Sequence, residues 1–115
     1  MQVSASPHET AADAFQALSD RTRLRIFGLL LHAGELCGCE VEATLGISQT
    51  RASRALTALR RAGLVVDRRD GAWVHYAVDR RADPLLRALV QGLRRALAED
   101  AVVRADVANL QRRCC

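Results

Sequence analysis

The stretch LGISQTRASRALTALRRAGL, residues 45–64, decides the fold. Gly46 breaks the chain, and Ser48 offers a hydroxyl to cap a helix beginning at Gln49. At about 100° per residue from Gln49 to Ala62, the apolar Ala52, Ala55, Leu56 and Leu59 share one arc. Gln49, Thr50, Ser53, Arg54, Thr57, Arg60 and Arg61 share the opposite side. The helix therefore has an aliphatic back and a front of hydrogen-bonding and basic groups. A plain surface helix carries more Glu and fewer Ser, Thr and Gln. No acid occurs from Thr44 to Val66, an absence that a phosphate-facing surface requires.

Upstream, Glu9 to Leu18 reads as a short helix with Ala11, Ala14, Phe15 and Leu18 on one face. Residues 1–8 read as a flexible arm. Ser19-Asp20 signals the start of a second helix, Arg21 to Leu31, which Ala33-Gly34 ends. A third short helix is expected from about Cys39 to Leu45. That helix, the turn at Gly46 and the helix from Gln49 make a helix-turn-helix pattern.

Downstream of Gly63 the period changes. Leu64 to Val66 and Trp73 to Val78 are strand-like, and Asp70-Gly71 between them signals a hairpin turn. Arg68 and Arg69 lie near its tip, so the hairpin forms a basic wing beside the recognition-type helix. Trp73 is expected to anchor the hairpin, and His75 and Tyr76 to pack it. Residues 84–110 return to helix. There Leu86, Leu89, Leu93 and Leu97 make an apolar stripe continued by Val103, Val107 and Leu110. With Phe15 of the first helix, that stripe reads as a dimer surface. The expected fold is mainly α with a small β-hairpin (α+β), a homodimeric winged helix-turn-helix domain spanning residues 9–110. Residues 111–115 form a Cys-containing tail.

Composition agrees. The chain has 115 residues, enough for one domain with a modest core. Aromatics make up 3%, so Leu, Val and Ala must build that core. No apolar run approaches the roughly 20 residues that span a bilayer. The N-terminal stretch lacks the basic start and apolar run of a secretory signal, so the expected location is the cytoplasm. All 17 basic residues are Arg, and the net charge is +4. Residues 48–81 hold 8 Arg against 3 Asp, whereas residues 1–47 are net acidic. Such clustering points to a polyanion partner, double-stranded DNA above all. There is no Gly-rich phosphate loop and no nucleophile–base set, which argues against an enzyme. The four cysteines form two tight pairs, Cys37/Cys39 and Cys114/Cys115. In an intracellular chain such pairs read as metal or redox sites before disulfides.

Five segments, Thr22 to Phe27, Glu35 to Glu40, Leu45 to Gln49, Ser53 to Leu56 and Leu59 to Val65, together resemble the ArsR/SmtB family of metal-sensing repressors. The Glu35-Leu36-Cys37-Gly38-Cys39 box looks like its arsenic and antimony subgroup. The resemblance implies a homodimer that holds a double-stranded operator, an inverted repeat, and releases it on binding As(III) or Sb(III). It also implies a third Cys three residues after the second, where this chain has Glu42. The His and Asp ligands that other members carry on the last helix have no His counterpart in residues 82–115.

Trivalent arsenic and antimony favour three soft sulfur ligands in a pyramid, and soft ligands select soft ions. Cys37 and Cys39 lie where the first N–H groups of the third helix favour a thiolate. Cys114 or Cys115 would supply the third sulfur, from the same chain or its mate. Cd(II), Pb(II) or Zn(II) at the same thiols, with His32 or a carboxylate, is the rival within this fold; thiol oxidation is another. Both His8 and His32 are otherwise expected in solvent. For DNA, Gln49, Thr50, Ser53 and Arg54 are the candidates for base edges. Ser48, Arg51, Arg60, Arg68 and Arg69 are the candidates for phosphate.

Overall fold

Ser6 caps the first helix. In a computed structural model that describes residues 6–80 and 83–112, its hydroxyl accepts from the Glu9 N–H and opens helix α1, Pro7–Leu18. Pro7 and His8, read as part of the arm, are thus already helical. Pro7 at the first helical position has no N–H to leave orphaned. Asp20 caps α2, Arg21–Ala33, by accepting from the Arg23 N–H. Gly34, with φ 85°, ends it in a conformation that disfavours a β-carbon.

A strand that sequence periodicity does not reveal comes next: β1, Leu36–Cys37. It leads straight into α3, Gly38–Leu45, which Gly46 closes with left-handed φ 66°. Ser48 caps α4, Gln49–Arg61, accepting from the Arg51 N–H. The wing follows as β2, Val65–Asp70, and β3, Trp73–Val78. Asp70 pairs with Trp73, so Gly71 and Ala72 form the two-residue loop. Gly71 supplies the positive φ, 62°, that such a loop needs at its first position. The sheet is antiparallel in the order β1-β3-β2, with Cys37 opposite His75 in β3.

The C-terminal stretch is two helices, not one. α5 covers Pro84–Leu97 under an Asp83 cap, and α6 covers Ala101–Ala108 under an Asp100 cap. The Asp100 carboxylate accepts from the Val102 and Val103 N–H groups and restarts the helix. That break turns α6 onto α2. A β-carbon on Gly28 would stand 2.8 Å from Val103 Cγ2, so glycine is what permits this approach. Asp106, buried on α6, accepts from Arg25 of α2 at 2.8 Å through both carboxylate oxygens. The hydrogen bond and charge of Asp106 hold the Arg25 guanidinium above its usual range.

Ile26, Phe27 and Leu29 of α2, Leu36, Val41 of α3, and Leu56 and Leu59 of α4 form the fully buried centre. This is the aliphatic core expected of a chain so poor in aromatics. The apolar back of α4 is the side that enters it: Ala52, Ala55, Leu56 and Leu59 are all buried. Among the described residues no helix is long and apolar enough to cross a membrane.

The expected dimer stripe divides. Leu86 is only 5% exposed and is covered by its own chain, as is Val103. That corrects the view of the stripe as one outward face: the break at Asp100 folds its second half inward. Leu89, Leu93 and Leu97 are half-buried against the core, whereas Phe15 is 61% exposed.

Candidate nucleic-acid interface and thiol site

The front of α4 is open. Gln49, Thr50, Ser53, Arg54, Arg60 and Arg61 are exposed, and Thr57 is half-buried. Their backs are fixed by the buried Ala and Leu positions, so the polar face is presented by a rigid helix rather than a loop. Ser48 is the cap of that helix, and Arg51 bonds sideways to the Thr22 hydroxyl at 3.0 Å. Both sit at the helix's N-terminal end, where backbone N–H groups favour an anion such as phosphate.

In the wing, Arg69 is exposed but Arg68 is engaged. The Arg68 guanidinium donates to both carboxylate oxygens of Glu35, at 2.6 and 3.4 Å. The Arg68 hydrogen bond holds the Glu35 carboxyl below its ordinary range. A phosphate at this place must therefore displace a carboxylate. Converting Glu35 to Gln removes that competitor. The expected result is tighter DNA binding and a log K against log salt slope steeper by about 0.9, the value of one added phosphate contact. Anisotropy titrations over a salt series check it; an unchanged slope means Arg68 does not reach DNA. Acid acts in the same direction. As pH falls through the depressed Glu35 value, the pair and any stability it adds are lost together.

The two sulfurs of the Cys37/Cys39 box face one another. Cys37 Sγ and Cys39 Sγ lie 2.8 Å apart. Local geometry explains this. Cys37 is the extended cap residue of α3, φ −82° and ψ 162°, and Cys39 stands in the first helical turn. The strand-to-helix bend brings together side chains that a regular strand or helix would separate. Cys37 is fully buried and Cys39 half-buried. The buried Glu40 side chain reaches back to accept from the Cys37 N–H at 2.9 Å and locks the bend.

Beside the sulfurs is a cavity of about 240 Å³. Cys37, Cys39 and Glu42 line it from the α3 side. Gln49, Ala52 and Ser53 line it from the recognition-type helix, and Ala72, Trp73 and Tyr76 from the wing. One space thus touches the thiols, the two sequence-predicted base readers Gln49 and Ser53, and the hairpin. Trp73 is 45% exposed and pairs with Asp70 across the hairpin. Tyr76 is half-buried, and that burial raises its phenol above the usual range, so it stays neutral.

Two soft donors in contact suit a soft ion. Among the described residues no group of three His, Cys, Asp or Glu side chains stands ready to hold a metal. Cys114 and Cys115 lie outside the described residues. The chain just before them is placed, however. Arg112 donates to the Ala33 carbonyl at 3.2 Å and the Glu35 carbonyl at 3.5 Å, and the Gln111 N–H donates to Thr44 Oγ1 at 2.9 Å. Sequence reasoning missed this docking, because nothing local in Gln111-Arg112 announces a distant carbonyl partner.

His32 is also not where it was expected. It is half-buried, and its Nε2 is buried without a hydrogen-bond partner among the described residues. It lines a cavity together with Val103 and Val107 of α6.

Comparison with known proteins agrees with this geometry. Residues 20–66 match the model of the bacterial regulatory protein, arsR family. The arsenical resistance operon repressor of Escherichia coli is 40% identical over 101 residues, covering 88% of this chain and 85% of that one. The arsenic resistance transcriptional regulator ArsR1 of Pseudomonas putida is 39% identical over 97 residues, covering 81% and 76%. The solution structure of the homodimeric winged helix-turn-helix DNA-binding domain Mb0332 of Mycobacterium bovis superposes with a TM-score of 0.65 at 27% identity, covering 88% and 94%. The capped recognition helix, the hairpin wing and these likenesses together identify the chain as a member of the arsR family of DNA-binding transcriptional regulators.

Proposed function

We propose that this regulator is a homodimeric repressor of a metalloid-resistance operon. It releases an inverted-repeat operator when As(III) or Sb(III) binds Cys37 and Cys39. The observation that carries this reading is the cavity that the two touching sulfurs share with Gln49, Ala52 and Ser53 of α4. An ion drawn between the sulfurs presses on the helix that reads DNA, with no intervening element. Relatives named for arsenic resistance support the choice of ion.

The third sulfur is Cys114 or Cys115 of the same chain. Arg112 is tied to the carbonyl of Glu35, two residues before Cys37. Cys114 is two residues beyond Arg112, a reach of up to about 7 Å. With arsenous acid, three thiols replace three hydroxyls: three As–O bonds break, three As–S bonds form, and three waters leave. Arsenic stays trivalent. The α5 face carrying Leu89, Leu93 and Leu97, with the exposed Phe15 of α1, is the proposed dimer surface. Gln49, Thr50, Ser53 and Arg54 read bases, while Ser48, Arg51, Arg60, Arg69 and a released Arg68 hold phosphate.

Operator release assays test this. Arsenite and antimonite are expected to free DNA from reduced protein. The double variant C114S/C115S should need roughly tenfold or more inorganic metalloid, a loss of one strong ligand. Release by cadmium, lead or zinc but not by arsenite would move the ion; release by peroxide alone would replace metal binding with oxidation. A tail variant with an unchanged arsenite response would remove the tail from the ligand set.

A further inference from the structure

We propose that Trp73 of the wing is a DNA contact, its indole packing on a deoxyribose of the strand that α4 and the hairpin straddle. This rests on membership of a DNA-binding family and not on the choice of inducer.

The fold leaves this side chain open. A chain with 3% aromatics places its one tryptophan outside the core. Phe27 with Ile, Leu and Val side chains makes the buried centre without it. Trp73 is the first residue of β3, directly after the two-residue loop, and is 45% exposed. Arg69, also exposed, stands opposite its neighbour Val74. A large apolar side chain held open beside a free cation suits an amphipathic partner.

Charge identifies the part of DNA that fits. Trp73 lines one cleft with Gln49 and Ser53 from the exposed front of α4. Among the described residues no arginine lines that cleft, whereas Glu42 does, and Asp70 pairs with Trp73. The cleft thus disfavours a phosphate and favours an uncharged, partly apolar group. The phosphate-seeking groups flank it: Ser48 and Arg51 at the start of α4, and Arg69 on the wing. A DNA strand presents the same alternation, an uncharged sugar between two phosphates. A helix in the major groove and a hairpin in the adjacent minor groove have one such strand between them. Contact with its sugar carries no sequence information. It also releases no counterion, so its share of affinity is independent of salt.

The test uses the reduced, full-length protein with a duplex of its own promoter region and a random duplex alongside. Trp73 is the one tryptophan, so its fluorescence reports this place alone. Saturating promoter DNA is expected to shift its emission and to lower its quenching by acrylamide, a neutral probe. Trp73→Ala should weaken binding to both duplexes by a similar factor, about 5- to 50-fold, from the apolar area an indole buries. Its log K against log salt slope should keep the wild-type value. Arg69→Ala should instead flatten that slope by about 0.9, one phosphate contact. Trp73→Phe retains a ring and should recover most of the loss. Trp73 equally open to acrylamide with and without saturating DNA would overturn the inference, whatever the variants do. So would wild-type affinity in Trp73→Ala, or a loss that appears only as a flatter slope. A wild-type protein that binds neither duplex overturns the DNA-binding reading as well.

Discussion

Serine at Cys37 or Cys39 is expected to leave operator binding in place and to erase its release by arsenite. The exchange keeps side-chain shape and swaps a soft donor for a hard one, which a thiophilic ion does not accept. Glu40 still accepts from the backbone N–H of residue 37, so the bend that starts α3 survives. The front of α4 is untouched. Coupling between an effector and DNA of about 1–3 kcal/mol corresponds to roughly 5–150-fold weaker operator binding in the wild type. In either variant that factor should fall to near one. Anisotropy titrations with and without arsenite measure it. A variant that still loses its operator by the wild-type factor would place the inducer elsewhere.

The second large effect concerns the fold. Phe27 is fully buried at the centre of α2, among Ile26, Leu29 and the leucines of α4. Phe27→Ala is expected to cost about 3–5 kcal/mol through lost burial and the cavity left behind. Domains of this size have only about 5–15 kcal/mol in total. A Tm lower by at least about 10 °C should follow, seen by circular dichroism. Phe15→Ala provides the contrast. That ring is 61% exposed, so in an isolated chain its loss should cost less than about 0.5 kcal/mol. If Phe15 lies at the dimer surface, its loss instead raises the protein concentration at which the dimer dissociates. Sedimentation over a dilution series separates the two.

Much of this architecture is legible in local chemistry. α4 is readable because its cap, its apolar arc and its acid-free front all lie within one short stretch, and the structure buries the expected residues. The wing is readable from Asp70-Gly71 and the change of period, although the pairing places the loop at Gly71-Ala72. β1 is not readable, since two residues cannot show a period. Leu36–Cys37 is a strand only because β3 pairs with it. The start of α1 was present as Ser6 and Glu9, three residues apart, and the break before α6 was present as the Asp100 cap. Both were masked by the apolar rhythm around them.

The site divides along the same line. The sulfur pair and the exposed polar front of α4 follow from spacing. The engagement of Arg68 by Glu35, the burial of His32 Nε2 and the docking of Arg112 depend on contacts between residues 33 or more positions apart in the first case and 79 in the last. No local pattern specifies such contacts. They matter to function nonetheless. Glu35 lies two residues before Cys37 and holds a wing arginine, while Cys37 pairs with β3 of the same wing. The thiol bend, the wing and the recognition helix thus meet through direct contacts.

The most direct measurement of the central idea is a linkage titration. Arsenite affinity would be determined twice on the reduced dimer, once alone and once saturated with its own promoter fragment. Thermodynamic linkage requires DNA to weaken arsenite binding by the same factor by which arsenite weakens DNA binding. Equal factors of roughly 5–150, both lost on Cys39→Ser, are the predicted result. Arsenite affinity unchanged by bound DNA would contradict it.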